Sequence, residues 1–323
     1  MTRTVHIKCL QPGLLTTIQD QGRSGYQHLG IPPGGALDKQ AARVANALVG
    51  NALQEPVLEI TMIGPHLKFL DDCQIALTGA RIPALADGHP LNYCQTLMMS
   101  AGTILRMGTA VNGCRSYLAI RGTWNIERWM GSASALTSTH SVHTPFAYLK
   151  KNTQWTTQVD REITPAKVPE YWRHDFSGDF RPRLMPGPEF FQADYRTVKS
   201  LLQETFVIGR DSNRMGYRLE AKVPLTEGAH DILSSAVLPG TIQITSSGKP
   251  ILLLGDAQTT GGYQRIAQVI KADLDGLGQL KPGDEVGFVI VNDWAAQKAL
   301  ELYHQREHEI LGAIRYAQES GAS

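Results

Sequence analysis

Three glycine-rich segments carry most of the side chains that could do chemistry in this sequence. They are TTIQDQGRSGYQHLGIPPGGALD at 16–38, GRDSNRMGYRLE at 209–220 and DAQTTGGYQRI at 256–266. Arginine forks, amides and hydroxyls are the groups that bind carboxylates and polarised amides. A solvated turn explains each segment alone equally well, but three such segments in one chain favour one shared site.

The 256–266 segment lies between two apolar stretches. PILLLG at 250–255 is a continuous apolar run typical of a buried strand, and QRIAQVI at 264–270 has apolar residues at helical spacing. The sequence thus predicts a strand-to-helix turn, where free backbone N–H groups and glycines would admit the oxygens of a ligand. An ordinary glycine loop is the alternative.

Composition excludes several classes of partner. The chain has 323 residues, 42% of them hydrophobic, which is enough for a substantial core and for two domains. Its formal net charge is +1, so it has no general field for gathering nucleic acid or an anionic membrane. The start of the chain lacks the apolar core of a signal peptide, and no apolar run approaches the roughly 20 residues that span a bilayer. We therefore expect a cytoplasmic protein that binds neither nucleic acid nor membrane.

Two patterns that suggest metal or nucleotide binding have simpler structural explanations. HQREH at 304–308 matches the H-x-x-E-H pattern of some zinc peptidases, but no third ligand lies nearby and its neighbours are typical of a solvated face. SSGKP at 246–250 resembles the end of a P-loop, but its proline leads into a strand where a P-loop opens a helix. We expect no metal site and no self-contained nucleotide site. Four cysteines without a CxxC pair indicate reduced, buried thiols: Cys9, Cys73, Cys94 and Cys114.

Two helices are expected around the chemical segments. The first covers 38–50, with Asp38 as its N-cap and Gly50 at its end. Because Asp38 already occupies the positive end of this helix, the preceding PPGG is a poor phosphate cradle. The second covers about 293–318 and is expected to cap the surface of the protein.

Short landmarks that recur in the same order predict an internal duplication. GPHLKF, ARIPALADG, AGTILRM and YLAIRG between 64 and 122 match GPEFF, AKVPLTEG, PGTIQIT and ILLLGD between 187 and 256. Many short β-type segments broken by Gly, Pro and Asp favour closed or sandwich-like β-structure over a parallel α/β sheet. We therefore predict a mainly β fold with two tandem β-barrel units. The expected division is 1–63 for an N-terminal segment, 64–131 and 187–292 for the barrels, 132–186 for an irregular linker and 293–323 for a C-terminal helix.

Several of these motifs resemble one protein family over almost the whole chain, from about 4 to 300. TTIQDQGRSGYQHLGIPPGGALD, ANALVGN, LEIT, SYLAIRG, SNRMGYRLE and DAQTTGGYQRIA are similar to the family of the 5-oxoprolinase C component. That family belongs to the allophanate hydrolase subunit 2, or biotin-dependent carboxyltransferase-like, superfamily. The resemblance implies cyclophilin-like β-barrels, and a hydrolase active only in complex with its B and A partners, which together open 5-oxoproline to glutamate with ATP.

The resemblance also directs the assignment of site residues. Arginines would bind the substrate carboxylate or phosphoryl oxygens, the Thr259–Gly262 turn would hold the lactam, and Asp256 would be a base or a metal-facing acid. Arg214 is expected to approach that turn closely enough to share a bound anion with it. The predicted catalytic residues are Asp256, Gln258, Thr260 and Arg214, and the predicted substrate-binding residues are Asn213, Tyr217, Arg218, Thr259, Gly261, Gly262, Tyr263, Arg265, Gln19, Asp20 and Arg23.

The cofactor and two alternative functions follow from the same resemblance. ATP is expected to bind together with a partner protein of the complex, with Mg²⁺ as its candidate companion. One alternative is a carboxyltransferase that passes a carboxyl group from carboxybiotin to urea or a related amide. This chain has no M-K-M loop for biotin attachment, so a separate chain would have to carry the biotin. The other alternative is a regulatory protein that binds a kinase-inhibitor-like partner.

Overall fold

A computed structural model describes residues 2–137, 144, 147–169, 176, 180–221 and 232–321 of the chain. Strands dominate these residues and a long helix closes the chain, so the predicted mainly β fold with a C-terminal helix is confirmed. The strands form a seven-stranded, a five-stranded and an eight-stranded sheet together with a two-stranded pair. The first two sheets use residues before 160, and the eight-stranded sheet uses residues after 182.

Twelve described strands build the first half of the molecule. They are β1 (Arg3–Gln11), β2 (Leu15–Gln19), β3 (Val57–Thr61), β4 (His66–Phe69), β5 (Cys73–Arg81), β6 (Ala84–Ala86), β7 (His89–Pro90), β8 (Thr96–Met99), β9 (Ile104–Met107), β10 (Asn112–Ile120), β11 (Thr123–Trp124) and β12 (Gln154–Val159). One sheet has the order β11-β12-β1-β4-β9-β6-β7 and the other the order β2-β3-β10-β5-β8. Both sheets contribute to one apolar core, for example through Ile7 and Leu67 from the first and Leu58 and Leu118 from the second.

Ten described strands build the second half. They are β13 (Arg183–Pro186), β14 (Phe206–Ile208), β15 (Gly216–Glu220), β16 (Ser235–Ala236), β17 (Thr241–Ile244), β18 (Pro250–Leu253), β19 (Thr260–Gly261), β20 (Gln264–Val269), β21 (Glu285–Val286) and β22 (Val289–Ile290). The large sheet has the order β21-β14-β15-β18-β17-β20-β13-β22, and β16 pairs with β19. A second apolar core lies on this sheet and also includes Leu37, from the loop before the first helix. The two halves therefore interlock at that loop.

Four α-helices complete the described chain: α1 (Lys39–Leu48), α2 (Tyr195–Gln203), α3 (Leu274–Leu277) and α4 (Asp293–Ser320). The two predicted helices are confirmed as α1 and α4. The side chain of Asp38 accepts a hydrogen bond from Ala41 N at 2.8 Å, as expected of an N-cap. Helix α4 packs against the α1 region through Ile310 and Ile314, so it covers the first half.

The predicted helix after the 256–262 turn is wrong. QRIAQV forms strand β20, which pairs with β17 on one side and β13 on the other. The apolar positions that suggested a helix, among them Ile266 and Val269, also fit a strand buried between two neighbours. Short apolar runs cannot separate these two structures by periodicity alone, and here the ladder partners decide.

The sheets cross two of the expected segment boundaries. β1 comes from 1–63 but pairs with β4, and β12 comes from 132–186 but pairs with β1 along six positions. The strand-by-strand equivalence of two landmarks is not found either. PGTIQIT lies in β17, paired with the ILLLGD strand β18, whereas AGTILRM lies in β9, in a different sheet from the YLAIRG strand β10. The landmark AKVPLTEG falls mostly outside the described residues.

The four cysteines all lie in the described part of the chain, and none forms a disulfide. Cys9, Cys73 and Cys114 are buried, while Cys94 is half-buried. Burial raises the pKa of the Cys9 thiol to about 11 and that of Cys73 to about 12, so both remain protonated at neutral pH. These thiols contribute to the packing of the first half.

Candidate functional site

A buried ion pair of Arg214 and Asp256 lies where the two halves of the molecule meet. Arg214 Nε and Nη2 donate to the two carboxylate oxygens of Asp256 at 3.1 and 3.0 Å, in the bidentate geometry that fixes a guanidinium best. Arg214 is 1% exposed and Asp256 is fully buried. Both residues were predicted to share one site, and the structure brings them together.

The remaining donors of Arg214 reach into the first half. Nη2 also donates to Gly35 O at 2.7 Å, and Nη1 pairs with Glu59 Oε1. Protein acceptors thus occupy Arg214 on all three nitrogens. The described contacts give it no partner in the Thr259–Gly262 turn, so the anion it was expected to share with that turn would have to displace a buried carboxylate.

Glu59 is the central residue of the junction that the sequence did not indicate. It points from β3 into the junction, is 1% exposed, and its Oε2 accepts from Leu37 N and Tyr117 Oη, both at 2.9 Å. Arg115 Nε lies 3.6 Å from its Oε1. The available signal was one acid inside the otherwise apolar strand VLEIT, where an unpaired charge would be costly.

The pKa of Arg214 shows which influence prevails at the junction. Burial by itself lowers the pKa of a guanidinium, but the charges of Asp256 and Glu59 raise that of Arg214 above its ordinary value. Asp256 is fixed from the other side as well, because Thr137 donates to its Oδ2 from N at 2.9 Å and from Oγ1 at 2.6 Å. The carboxylate therefore has one orientation.

Arg23 lies next to this ion pair but is held differently. Its Nη2 donates to Ser134 O at 2.7 Å, and its guanidinium carbon lies 5.1 Å from the centre of the Trp129 ring. Burial lowers the pKa of Arg23, and Asp20 and Asp256 offset part of this effect. Arg23 was a predicted binding residue, and the structure places it beside Asp256.

The other predicted residues of the first segment organise the loop that carries Arg23. Asp20 accepts from Ser132 Oγ and Ser134 Oγ, both at 2.6 Å, and from the backbone of Gly22 and Ala133. Gln19 donates to Thr17 Oγ1 and Ala135 O. These contacts tie residues 19–23 to residues 132–135, which is a supporting role.

The predicted residues after Asp256 are spread over the surface of the second half. Thr260 and Gly261 form β19 and pair with β16, and Gln258 and Thr260 are exposed. Arg265 pairs with both oxygens of Glu189 at 2.7 and 3.0 Å. Of the remaining predicted residues, Thr259, Gly262 and Tyr263 are half-buried and Asn213 and Arg218 are exposed.

Tyr217 belongs to a separate buried contact between the halves. Its hydroxyl donates to Leu277 O and Leu280 O at 2.8 and 2.9 Å and accepts from Arg115 Nη1 at 3.1 Å. Burial raises its pKa to about 12. Tyr217 therefore holds the 277–280 segment against the first half and lies on a different contact network from Asp256.

A second polar cluster surrounds the N-terminus of α1 and borders a groove of about 1060 Å³. Asp275 accepts from Lys39 N and Gln40 N at 3.0 Å and from Tyr303 Oη at 2.6 Å. Asp38 is buried beside it and accepts from Gln279 Nε2 at 2.7 Å. Burial, and then the charges of Asp275 and Glu59, raise the pKa of Asp38 to about 7. This cluster joins α1, α3 and α4.

The HQREH residues of α4 take part in the same contacts. Glu307 pairs with Arg43 Nε at 2.5 Å, and the ring of His304 lies against Tyr303. Within the described residues, no group of three or more His, Cys, Asp or Glu side chains is arranged to hold a metal ion. No helix in that part of the chain is both long and apolar enough to cross a membrane.

Comparison with known proteins places this β fold and its buried junction in one family. Residues 29–290 match the family described as carboxyltransferase domain, subdomain A and B, and the chain belongs to it. Among curated relatives, the C component of 5-oxoprolinase from Escherichia coli is 35% identical over 88% of this chain and 90% of its own length. The Haemophilus influenzae protein of the same name is 32% identical over 90% of this chain and 92% of its own.

More distant relatives are parts of much longer enzymes. Urea amidolyase of Saccharomyces cerevisiae is 29% identical over 88% of this chain, which spans only 16% of that enzyme. The crystal structure of the K. lactis urea amidolyase superimposes with a TM-score of 0.86 and 25% identity over 94% of this chain, which covers 20% of that protein. The chain is thus similar to one domain of the urea enzymes and to nearly all of the two bacterial 5-oxoprolinase components.

Proposed function

We propose that this chain is the C component of an ATP-dependent 5-oxoprolinase, which opens 5-oxo-L-proline to L-glutamate together with the B and A components. The observation that carries the proposal is the likeness to two proteins named as this component of 5-oxoprolinase along about nine-tenths of their length. The buried junction supports it, because it offers fixed donors and a fixed carboxylate away from water. ATP, with Mg²⁺, is assigned to a site formed with the partner proteins.

The chemistry explains why a fixed, dry polar site suits this reaction. A lactam is a poor electrophile because its nitrogen donates electron density to the carbonyl. Activation of the amide oxygen by ATP removes that resonance, and water then displaces it. Negative charge builds on oxygens during this step, and donors that are held in place beforehand stabilise such charge. Arg23 and the Arg214–Asp256 pair provide held groups of both signs.

The test is a coupled purification and assay. Co-expression with the B and A components should give a complex that releases glutamate from 5-oxoproline only with ATP, whereas the chain alone should release none. Asp256→Asn keeps the shape of the side chain and removes its charge, and we expect it to lower kcat roughly 10²-fold in the assembled complex. Arg218→Gln is the matched control because Arg218 is exposed. Normal turnover in Asp256→Asn, or ATP-dependent turnover by the chain alone, would contradict the proposal.

A second candidate function is carboxyl transfer to urea or a related amide. It is favoured by the match to the carboxyltransferase domain family and by the superposition on the urea amidolyase structure. A carboxybiotin-bearing partner would supply the carboxyl group, since this chain has no M-K-M loop. Consumption of urea that depends on a carboxylated biotin carrier, with no glutamate released from 5-oxoproline, would select this function over the first.

A further inference from the structure

Arg23 is a buried cation with unused hydrogen-bond donors. It is 2% exposed, and its Nε and Nη1 atoms have no hydrogen-bond partner among the described residues. In that part of the chain only its third nitrogen is engaged, by Ser134 O. Nearly all buried polar groups in proteins are satisfied, and leaving a charged donor unsatisfied is costly. Two orphaned nitrogens on one buried guanidinium therefore point to a ligand that this side chain is built to bind.

Gly34 leaves a gap that borders both Arg23 and Asp256. A Cβ atom at this glycine would lie 3.2 Å from Arg23 Nη1, 3.7 Å from Asp256 Oδ1 and 2.9 Å from Leu136 Cδ2. In the described contacts, Asp256 Oδ1 accepts one hydrogen bond, from Arg214, whereas Oδ2 accepts three. A carboxylate oxygen can accept more than one, so Oδ1 has capacity left. The gap thus has an unused donor on one side and an unused acceptor on the other.

The charges around the gap favour a neutral ligand group. Arg214 and Arg115 are balanced by Asp256 and Glu59, and Asp20 lies close enough to raise the pKa of Arg23. A carboxylate or phosphate placed here would face Asp256 Oδ1 directly, and like charges at short range in a buried site repel strongly. A group with one acceptor and one donor side by side would satisfy both walls of the gap.

We propose that Arg23 and Asp256 bind the polar edge of a neutral cis amide, as found in a lactam or a urea. The carbonyl oxygen accepts a hydrogen bond from Arg23 Nη1, and the adjacent N–H donates to Asp256 Oδ1. The body of the ligand takes the place of the Leu136 side chain, whose Cδ2 is the nearest atom in the gap. The inference rests on the proposed function for the natural ligand, which would be 5-oxoproline.

The first test uses two probes that differ in one hydrogen-bond donor. The full chain is titrated with 2-pyrrolidone and with N-methyl-2-pyrrolidone by ligand-observed NMR or calorimetry. The first has the N–H and C=O edge, and the second lacks the N–H. We expect 2-pyrrolidone to bind roughly 10- to 100-fold more tightly, which is the range for one hydrogen bond to a buried charge. Equal affinity for the two probes, or no binding of either, would overturn the proposal.

The second test closes the gap with a methyl group. Gly34→Ala should abolish 2-pyrrolidone binding because the new Cβ atom occupies the gap. Gly34 has a φ of +60°, so alanine also introduces backbone strain there. Gly88→Ala is the matched control, since Gly88 has a φ of +89° and nothing within 4 Å of its Cβ position in the described structure. Thermal unfolding separates lost binding from lost fold, and a folded Gly34→Ala with normal affinity would contradict the proposal.

Arg23→Lys keeps the inference testable if Gly34→Ala does not fold. Lysine retains the charge but not the planar fork, so the affinity for 2-pyrrolidone should fall at least about tenfold. Unchanged affinity would overturn the inference.

The source of the ligand is identified by competition. 5-Oxoproline should displace 2-pyrrolidone more strongly than urea does under the first proposed function, and urea more strongly under the second. Inorganic phosphate and acetate should not displace it, and displacement by either would show an anion site instead. Lactam binding without glutamate release in the complex would reject the proposed function alone, whereas glutamate release without lactam binding at Gly34 would reject this inference alone.

Discussion

Two buried arginines beside the same carboxylate are in opposite situations. Arg214 is 1% exposed and donates from all three nitrogens to Glu59, Asp256 and Gly35, while Arg23 is 2% exposed and, within the described contacts, donates from one nitrogen. Burial lowers the pKa of both, but only Arg214 has partners strong enough to reverse the shift. A saturated buried arginine holds the two halves together, and an unsaturated one is available to a ligand.

Removing Arg214 should have the largest effect on this comparison. Arg214→Met has a similar length but leaves Glu59 and Asp256 as buried carboxylates without their main partner. Breaking a buried ion pair from one side costs about 3 to 5 kcal/mol of unfolding free energy. Urea denaturation of the purified chain measures this loss. A loss below about 1 kcal/mol would mean that the junction is looser than its contacts indicate and that Arg214 is not its main connector.

Asp38 extends the comparison to a buried acid and gives a pH-dependent effect. Its pKa is about 7 in the folded chain and roughly 3.9 when unfolded. A group with a raised folded pKa binds a proton on folding, so its contribution to stability is complete below the unfolded pKa and is lost as pH rises towards 7. The expected slope is at most about 1.4 kcal/mol of unfolding free energy per pH unit in this window.

Asp38→Asn should remove that slope. Asparagine stays neutral at every pH and caps a helix as well as aspartate does, so the bond to Ala41 N is kept. The difference in unfolding free energy between wild type and Asp38→Asn is measured at several values between pH 4 and 8. We expect it to change in favour of the variant as pH rises. Parallel curves would show that Asp38 ionises normally in the folded chain.

The sequence predicted the fold well where local chemistry and tertiary structure agree. Helix α1 followed from its N-cap and apolar face, and α4 from its long helical pattern. Strand β20 was mistaken for a helix because Ile266, Ala267 and Val269 fit both periods, and only the ladders to β13 and β17 distinguish them. Sheet membership could not be predicted, since pairs such as β1 with β12 join residues about 150 positions apart.

The candidate site shows the same limit at the level of single residues. Composition marked Arg23, Arg214 and Asp256 correctly as neighbours, but it marked the exposed Thr260 and Arg218 equally. Glu59 was overlooked because an acid in a strand has no local signature until its arginine partner arrives from 155 positions away. Burial, which the long-range packing sets, separates the polar residues of the junction from the solvated ones.

Arg23→Met tests the other half of the comparison and should have a small effect on stability. The substitution removes a buried charge whose Nε and Nη1 have no partner among the described residues, so little favourable interaction is lost beyond the bond to Ser134 O. We expect the unfolding free energy to change by about 1 kcal/mol or less, in either direction. The same variant should lose 2-pyrrolidone binding. A loss of stability comparable to that of Arg214→Met would place Arg23 among the structural arginines and remove the contrast.

The smallest expected effect concerns Thr260, which the sequence placed in the catalytic set. Thr260→Val keeps the shape and β propensity of the side chain in β19, and because the residue is exposed no described buried contact depends on its hydroxyl. We expect a change below about 0.5 kcal/mol in unfolding free energy and near-normal glutamate release by the complex. Thr137→Val is the matched control, because the Thr137 hydroxyl donates to Asp256 Oδ2 at 2.6 Å. A hydrogen bond to a charged group contributes about 1.5 to 3 kcal/mol, so the control should be measurably less stable and less active. If Thr260→Val instead lowered turnover while Thr137→Val did not, the reactive site would lie at the surface turn and the buried junction would be a structural joint.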